Sequence, residues 1–154
     1  MANEFSSAGV KLYYCVETTA GTRPTSGYTE IPSIKSIPDF NPQPSTLQVT
    51  DLSDTEWHRY IDSLKDVGGA IGFDANLTTQ FETAWDTLVT ASETARAENK
   101  ATWFEIAIPN FKSFYLAGYP SPLGLKGFGV DEVVETTAYV APNQIVGFAS
   151  ASTK

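Results

Sequence analysis

The chain of 154 residues carries ten lysines and arginines against 18 aspartates and glutamates, a formal net charge of −8 that is spread along its length. That balance disfavours tight nucleic-acid binding, which needs clustered cations on phosphate. A content of 42% hydrophobic and 12% aromatic residues excludes wholesale disorder and is enough for one packed domain over residues 1–154, while no apolar run approaches the roughly 20 residues of a membrane helix.

The opening stretch, Met1 to Ser7, has neither the basic nor the apolar region of a secretory signal. Cys15 is the single cysteine, so no intrachain disulfide can form; cytosolic synthesis and a buried, inert thiol are expected. Residues Val10 to Glu17 have strand composition. Tyr28 to Ile37 repeats isoleucine at 31, 34 and 37, and Pro32 within it suits an edge or a bulge.

A long insertion follows, from Asp39 to Gly69. It opens on Pro38-Asp39-Phe40-Asn41-Pro42-Gln43-Pro44, passes through the acidic run Asp51-Leu52-Ser53-Asp54-Thr55-Glu56 and leaves at Val67-Gly68-Gly69. Connections this long are uncommon in compact domains and are functional or disordered. Trp57, Tyr60, Ile61 and Leu64 argue for function, because an arm carrying such side chains must bury them against something. Their spacing is helical, and Ser53 or Asp54 stands where a cap would stand. The segment reads as a binding arm that orders when it meets its target.

Ala70 to Thr78 alternates cleanly, with Ile71, Phe73, Ala75 and Leu77 on one face and Gly72, Asp74 and Asn76 on the other. A helix is predicted next. Thr79 and Glu82 have capping-box spacing, Phe81, Trp85 and Leu88 form an apolar stripe for the core, Arg96 and Lys100 suit the C-terminal end, and Asn99 is a stop. Thr102 to Ile108 and Lys112 to Tyr119 are strands separated by a Pro109-Asn110 turn. Glycines punctuate residues 124–129. Val130 to Val140 is a final strand with Val134, Thr136, Ala138 and Val140 on one face and Val133, Glu135, Thr137 and Tyr139 on the other. Pro142 is expected to close it, leaving residues 143–154 as a loose C-terminal tail.

Chemistry is sparse. His58, the sole histidine, has no partner nucleophile in view and reads as solvated or interfacial. One histidine and one cysteine are too few for zinc. The run 51–56 lacks the D-x-D-x-D-G pattern and the later glutamate of a calcium loop. Gly124, Gly127 and Gly129 match no phosphate-binding motif. Asp131 and Glu132, adjacent on a strand, would face opposite ways. No enzyme, cofactor or metal site is expected.

The run Arg59-Tyr60-Ile61-Asp62-Ser63-Leu64-Lys65-Asp66-Val67-Gly68-Gly69-Ala70-Ile71-Gly72-Phe73 resembles the loop-to-strand segment of major tail tube proteins of long-tailed, siphovirus-type bacteriophages. Thr25 to Ile31 through Pro38 is similar too, as is Leu123-Gly124-Leu125-Lys126 followed by Val130 to Thr136. The family commonly has Pro-Gly near Asp62-Ser63, where this chain departs from it. The resemblance implies a mainly β fold with one α-helix, a small sandwich or barrel of the tail tube type with a long inter-strand arm; the immunoglobulin-like decoration domain that some relatives carry is not expected here. It implies six copies in a ring, rings stacked into a virion tail tube, DNA passing through without specific binding, and a tape measure protein and a tail terminator as partners, with synthesis in the host bacterial cytoplasm.

On that reading the arm residues Trp57, Tyr60, Ile61, Leu64, Lys65 and Asp66 contact the next ring. Asp74, Asn76, Glu135 and Thr137 are candidates for an acidic lumen that repels phosphate. Two other classes stay open: a soluble, lectin-like β-sandwich with the insertion as its ligand loop, and an inner-tube protein of a contractile or secretion apparatus.

Overall fold

The computed structural model describes residues 4, 6–40, 44–65 and 69–154. Its elements in chain order are β1 (Lys11–Val16), β2 (Thr29–Ile31), β3 (Ile34–Ser36), β4 (Pro44–Gln48), β5 (Tyr60–Lys65), β6 (Ile71–Asn76), α1 (Thr79–Ala97), β7 (Thr102–Ala107), β8 (Ser113–Pro120) and β9 (Glu135–Ala149). Seven strands form one antiparallel sheet in the order β2-β1-β7-β8-β9-β6-β3. β2 and β3 lie at its opposite ends, yet only Pro32 and Ser33 join them, with Ser33 in the left-handed region at φ 65°. A two-residue link can join opposite edges only if the sheet curls until they meet. The fold is therefore mainly β with one helix, a nearly closed barrel, and Pro32 sits at its seam as an edge proline should.

The predicted alternation of β6 holds. Phe73 and Ala75 are fully buried with Ile71 beside them, and their registered partners Thr136, Ala138 and Val140 on β9 face the same core. The apolar stripe of α1 closes the barrel from one side: Phe81, Trp85 and Leu88 join Leu12, Phe104 and Leu116 in the core, and Trp85 Nε1 donates to the Ser121 carbonyl at 2.8 Å. The cap lies one residue earlier than the sequence suggests. Thr78, in extended conformation, accepts the Phe81 amide at 3.1 Å, and its hydroxyl also lies 3.0 Å from Ser33 Oγ at the seam. Thr78→Ala is thus expected to cost about 1–2 kcal/mol, read as a lower urea midpoint at unchanged slope. Asn99, at φ 59°, ends the helix as predicted.

A second layer covers the outside of β7 and β8, so both faces of β7 are buried. Trp103, Tyr115 and Tyr28 pack there, beneath residues 150–154. This overturns the expectation of a closing proline and a loose tail. β9 runs through Pro142 to Ala149, because residues beyond 140 pair with β8, and Pro142 sits opposite Gly118 at a shift in register, where a strand tolerates a missing N–H. Gly118 permits the approach, since a Cβ there would meet the Ala141 carbonyl oxygen at 2.7 Å.

Residues 150–154 are strapped down by the buried carboxylate of Glu105, which accepts the Tyr115 hydroxyl at 2.7 Å, the Ser152 amide at 3.0 Å, the Ser152 hydroxyl at 2.8 Å, and Lys154. A bridge between Ser26 and Thr153 extends the strap. Glu17, also buried, accepts Trp103 Nε1 at 2.8 Å, the Gly21 amide at 2.9 Å and the Ala101 amide at 3.1 Å. Cys15 is half-buried rather than buried; burial pushes its thiol pKa up.

The start of the last strand is corrected too. Asp131 has φ 60°, which breaks an extended chain, and β9 begins only at Glu135. Residues 130–134, with Asp131 and Glu132, belong to a loop, so the argument from opposite strand faces does not apply to that pair.

Candidate functional site

The insertion is a β-hairpin, not a helix. β4 and β5 pair antiparallel in a sheet of their own, with Leu47 opposite Ile61 and Gln48 opposite Tyr60. The helical stripe expected of Trp57, Tyr60, Ile61 and Leu64 therefore does not form: Tyr60 to Lys65 is a strand, and the neighbours Tyr60 and Ile61 point to opposite faces. The partner strand that decides this is Thr46-Leu47-Gln48-Val49, whose apolar–polar alternation is the signal the helical spacing obscured. Ser53 and Asp54 cap no helix; they build the hairpin tip. Asp51 accepts the Ser53 amide at 2.8 Å, Asp54 accepts the Asp51 amide at 3.0 Å, and Arg59 reaches Asp54 through Nε at 2.8 Å and Asp51 through Nη2 at 3.3 Å. These bonds hold both carboxyl groups below the usual range, Ser53 leading for Asp51 and the Asp51 amide for Asp54. His58 lies 2.8 Å from Gln48 Nε2. The arm thus has its own hydrogen-bonded frame in the single chain, contrary to the expectation that it orders only on meeting its target.

That frame displays apolar side chains to solvent. Trp57 is 80% exposed, Leu52 wholly so, and Leu47, Tyr60 and Ile61 each more than half. Leu64 and Lys65 lie on β5; Asp66 is outside the described residues.

The four polar candidates are brought together on one face. Asp74 is registered with Thr137 and Asn76 with Glu135. Asp74 accepts from Thr137 Oγ1 at 2.9 Å and from Ser36 Oγ at 3.1 Å, and these hydroxyls lower the Asp74 pKa. Lys35 does the same for Glu135, with Lys126 Nζ 3.8 Å away. Two carboxylates thus share their surroundings with two lysines, so this patch is polar and locally balanced rather than simply acidic. Among the described residues, no group of three or more His, Cys, Asp or Glu side chains could hold a metal ion, and no helix is long and apolar enough to cross a membrane.

One surface escaped the sequence. The loop of residues 121–134 leaves Leu125 75%, Phe128 62%, Val130 91% and Val133 70% exposed, with Tyr139 of β9 half-exposed. A shallow cavity of about 440 Å³ lined by Leu125, Lys126, Thr137 and Tyr139 joins the loop to the polar face.

No protein-family model matches the chain, and no curated protein matches its sequence. Its fold has solved counterparts. A chain in the cryo-EM structure of an extracellular contractile injection system, the PVC sheath/tube terminator in the extended state, is similar at a TM-score of 0.63 and 11% identity, over 96% of this chain and 100% of that one. A chain in the anti-feeding prophage (AFP) baseplate, 6-fold symmetrised, reaches 0.62 at 9% identity over 97% and 98%. A third, in the AFP tube-terminating cap, reaches 0.60 at 10% identity over 98% and 95%. At such identities the likeness establishes the fold: along almost its whole length, this chain shares the architecture of chains found in contractile injection systems.

Proposed function

We propose that the chain is a structural subunit of a phage-tail-like tube: hexameric rings that stack into the tail of a virion, through which DNA is delivered, with a tape measure protein inside and a terminator at the end. The observation that carries this is the hairpin 44–65, a preformed element that leaves Leu47, Leu52, Trp57, Tyr60 and Ile61 exposed. Exposed apolar patches of this kind mark interaction sites. A contact between two different surfaces of identical chains builds rings or filaments. The fold shared with chains of contractile injection systems supports the same role. The face bearing Asp74, Asn76, Glu135 and Thr137 lines the lumen on this reading, offering passing phosphate hydroxyls and carboxylates rather than free cations.

A second reading, an end-piece subunit of a contractile apparatus, is favoured by the full-length likeness to chains from a terminator and a cap structure. Electron microscopy of the concentrated protein separates the two. Long smooth tubes are expected; isolated rings that never stack favour the end-piece. Strict monomers at every concentration overturn both and leave the lectin-like module.

A further inference from the structure

The hairpin is one half of a contact; the loop 121–134 has the properties of the other half. We propose that the loop of one copy, with Tyr139 beside it, is the seat for the hairpin of the next copy. This rests on the subunit reading above and names the partner surface of that same arm.

Two observations support the assignment. Both surfaces stay uncovered within a single chain, so neither is the other's cover in the same copy. Their sizes suit an interface. Trp57, Phe128 and Tyr139 each expose more than half of their surface, together roughly 300–500 Å² at 150–250 Å² per aromatic side chain. Leu47, Leu52 and Ile61 against Leu125, Val130 and Val133 bring the total toward the ~1,200 Å² at which specific interfaces begin. The other exposed aromatic group, Phe111 and Phe148, is a poorer seat, because those rings already pack edge to face at 5.6 Å and Phe148 packs again on Phe114 at 5.3 Å.

The test uses the full chain. Phe128→Asp with Val130→Asp removes apolar contact from solvent-facing positions, so the thermal midpoint should not move. The concentration needed for assembly should rise at least about tenfold. In a Cys15→Ser background, an Ile61→Cys protein mixed with a Val130→Cys protein should give a species containing both chains when treated with a short bis-maleimide under assembling conditions. Assembly that survives the double aspartate variant, or assembled protein that gives no such cross-link, overturns the seat. If replacing the hairpin still abolishes assembly in that case, the subunit reading stands while the seat falls. If the unmodified protein never assembles, both fall.

Discussion

A chain in which residues 44–65 are replaced by a short Gly-Ser linker is expected to fold with an almost unchanged thermal midpoint and to form no tubes at any concentration. The two halves of that expectation come from different parts of the molecule. Among the described residues, β4 and β5 hydrogen-bond as strands only to each other, and the barrel core draws on Leu12, Phe73, Phe104, Leu116 and the α1 stripe, with none from the hairpin. Removing the hairpin takes none of these described core side chains away, and flexible loop closure changes free energy only slowly with length. Assembly is another matter, since Trp57, Tyr60 and Ile61 leave together, and large aromatic anchors carry a disproportionate share of interface energy. Because the hairpin is framed by Asp51, Asp54 and Arg59 before any partner arrives, docking saves much of the cost of ordering a disordered arm. Calorimetry and electron microscopy of the same preparation check both halves. Tubes of normal length from the shortened chain would refute the role given to the arm.

Glu105→Ala is expected to lower stability by about 3 kcal/mol, or roughly 6–12 °C in thermal midpoint for a domain of this size. The side chain is wholly inaccessible, and its loss leaves the Tyr115 hydroxyl, the Ser152 amide and hydroxyl, and Lys154 without their shared acceptor. Burial alone would raise the carboxyl pKa, but Lys154, Tyr115 and Ser152 outweigh it and bring the value down to about 2 from 4.5. The sign of the pH dependence follows. A carboxylate whose pKa is depressed by folding contributes stability that is fully present above pH 4.5 and disappears as pH falls toward 2. The difference converts to about 3 kcal/mol at neutral pH. Urea titrations at pH 7 and pH 2 should therefore show the gap between parent and variant shrinking in acid; a constant gap would mean that Glu105 acts by packing alone. Tyr115, whose pKa burial and then Glu105 push up to about 12, stays a donor throughout that range.

Much of the barrel could be read from residue order. Ile71, Phe73 and Ala75 declare an inward face, Phe81, Trp85 and Leu88 a helix against it, and Asn99 its stop. The polar candidates were legible for the same reason: Asp74 and Thr137 fall on the complementary face of an alternation that the core fixes. What misled were segments whose partner lies elsewhere in the chain. Tyr60, Ile61 and Leu64 match a helix in isolation and become a strand because residues 44–48 pair with them. Pro142 looks like a terminator until β8 is seen alongside with a glycine at the crossing point. Val130 and Val133 read as strand until Asp131 turns left-handed between them, so their exposure, and the surface they make, stayed hidden. Glu105 gave no signal at all, since a buried carboxylate shows itself only through the donors that tertiary structure gathers around it.

The placement of β9 bears on how subunits are made. Among the described strands it alone is bonded to both β6 and β8, so a chain still lacking residues 135–149 holds two unjoined sheet fragments. The β1–β7 pairing already joins residues about ninety positions apart, and such distant pairings fold slowly. A ribosome therefore exposes the sticky hairpin well before the barrel beneath it can be sealed, and sealing awaits the final strand. An unfinished or prematurely cut chain has no sealed barrel on which to present its contact surfaces. On the subunit reading proposed above, the order of synthesis thus acts as a proofreading step that keeps defective copies out of a growing polymer.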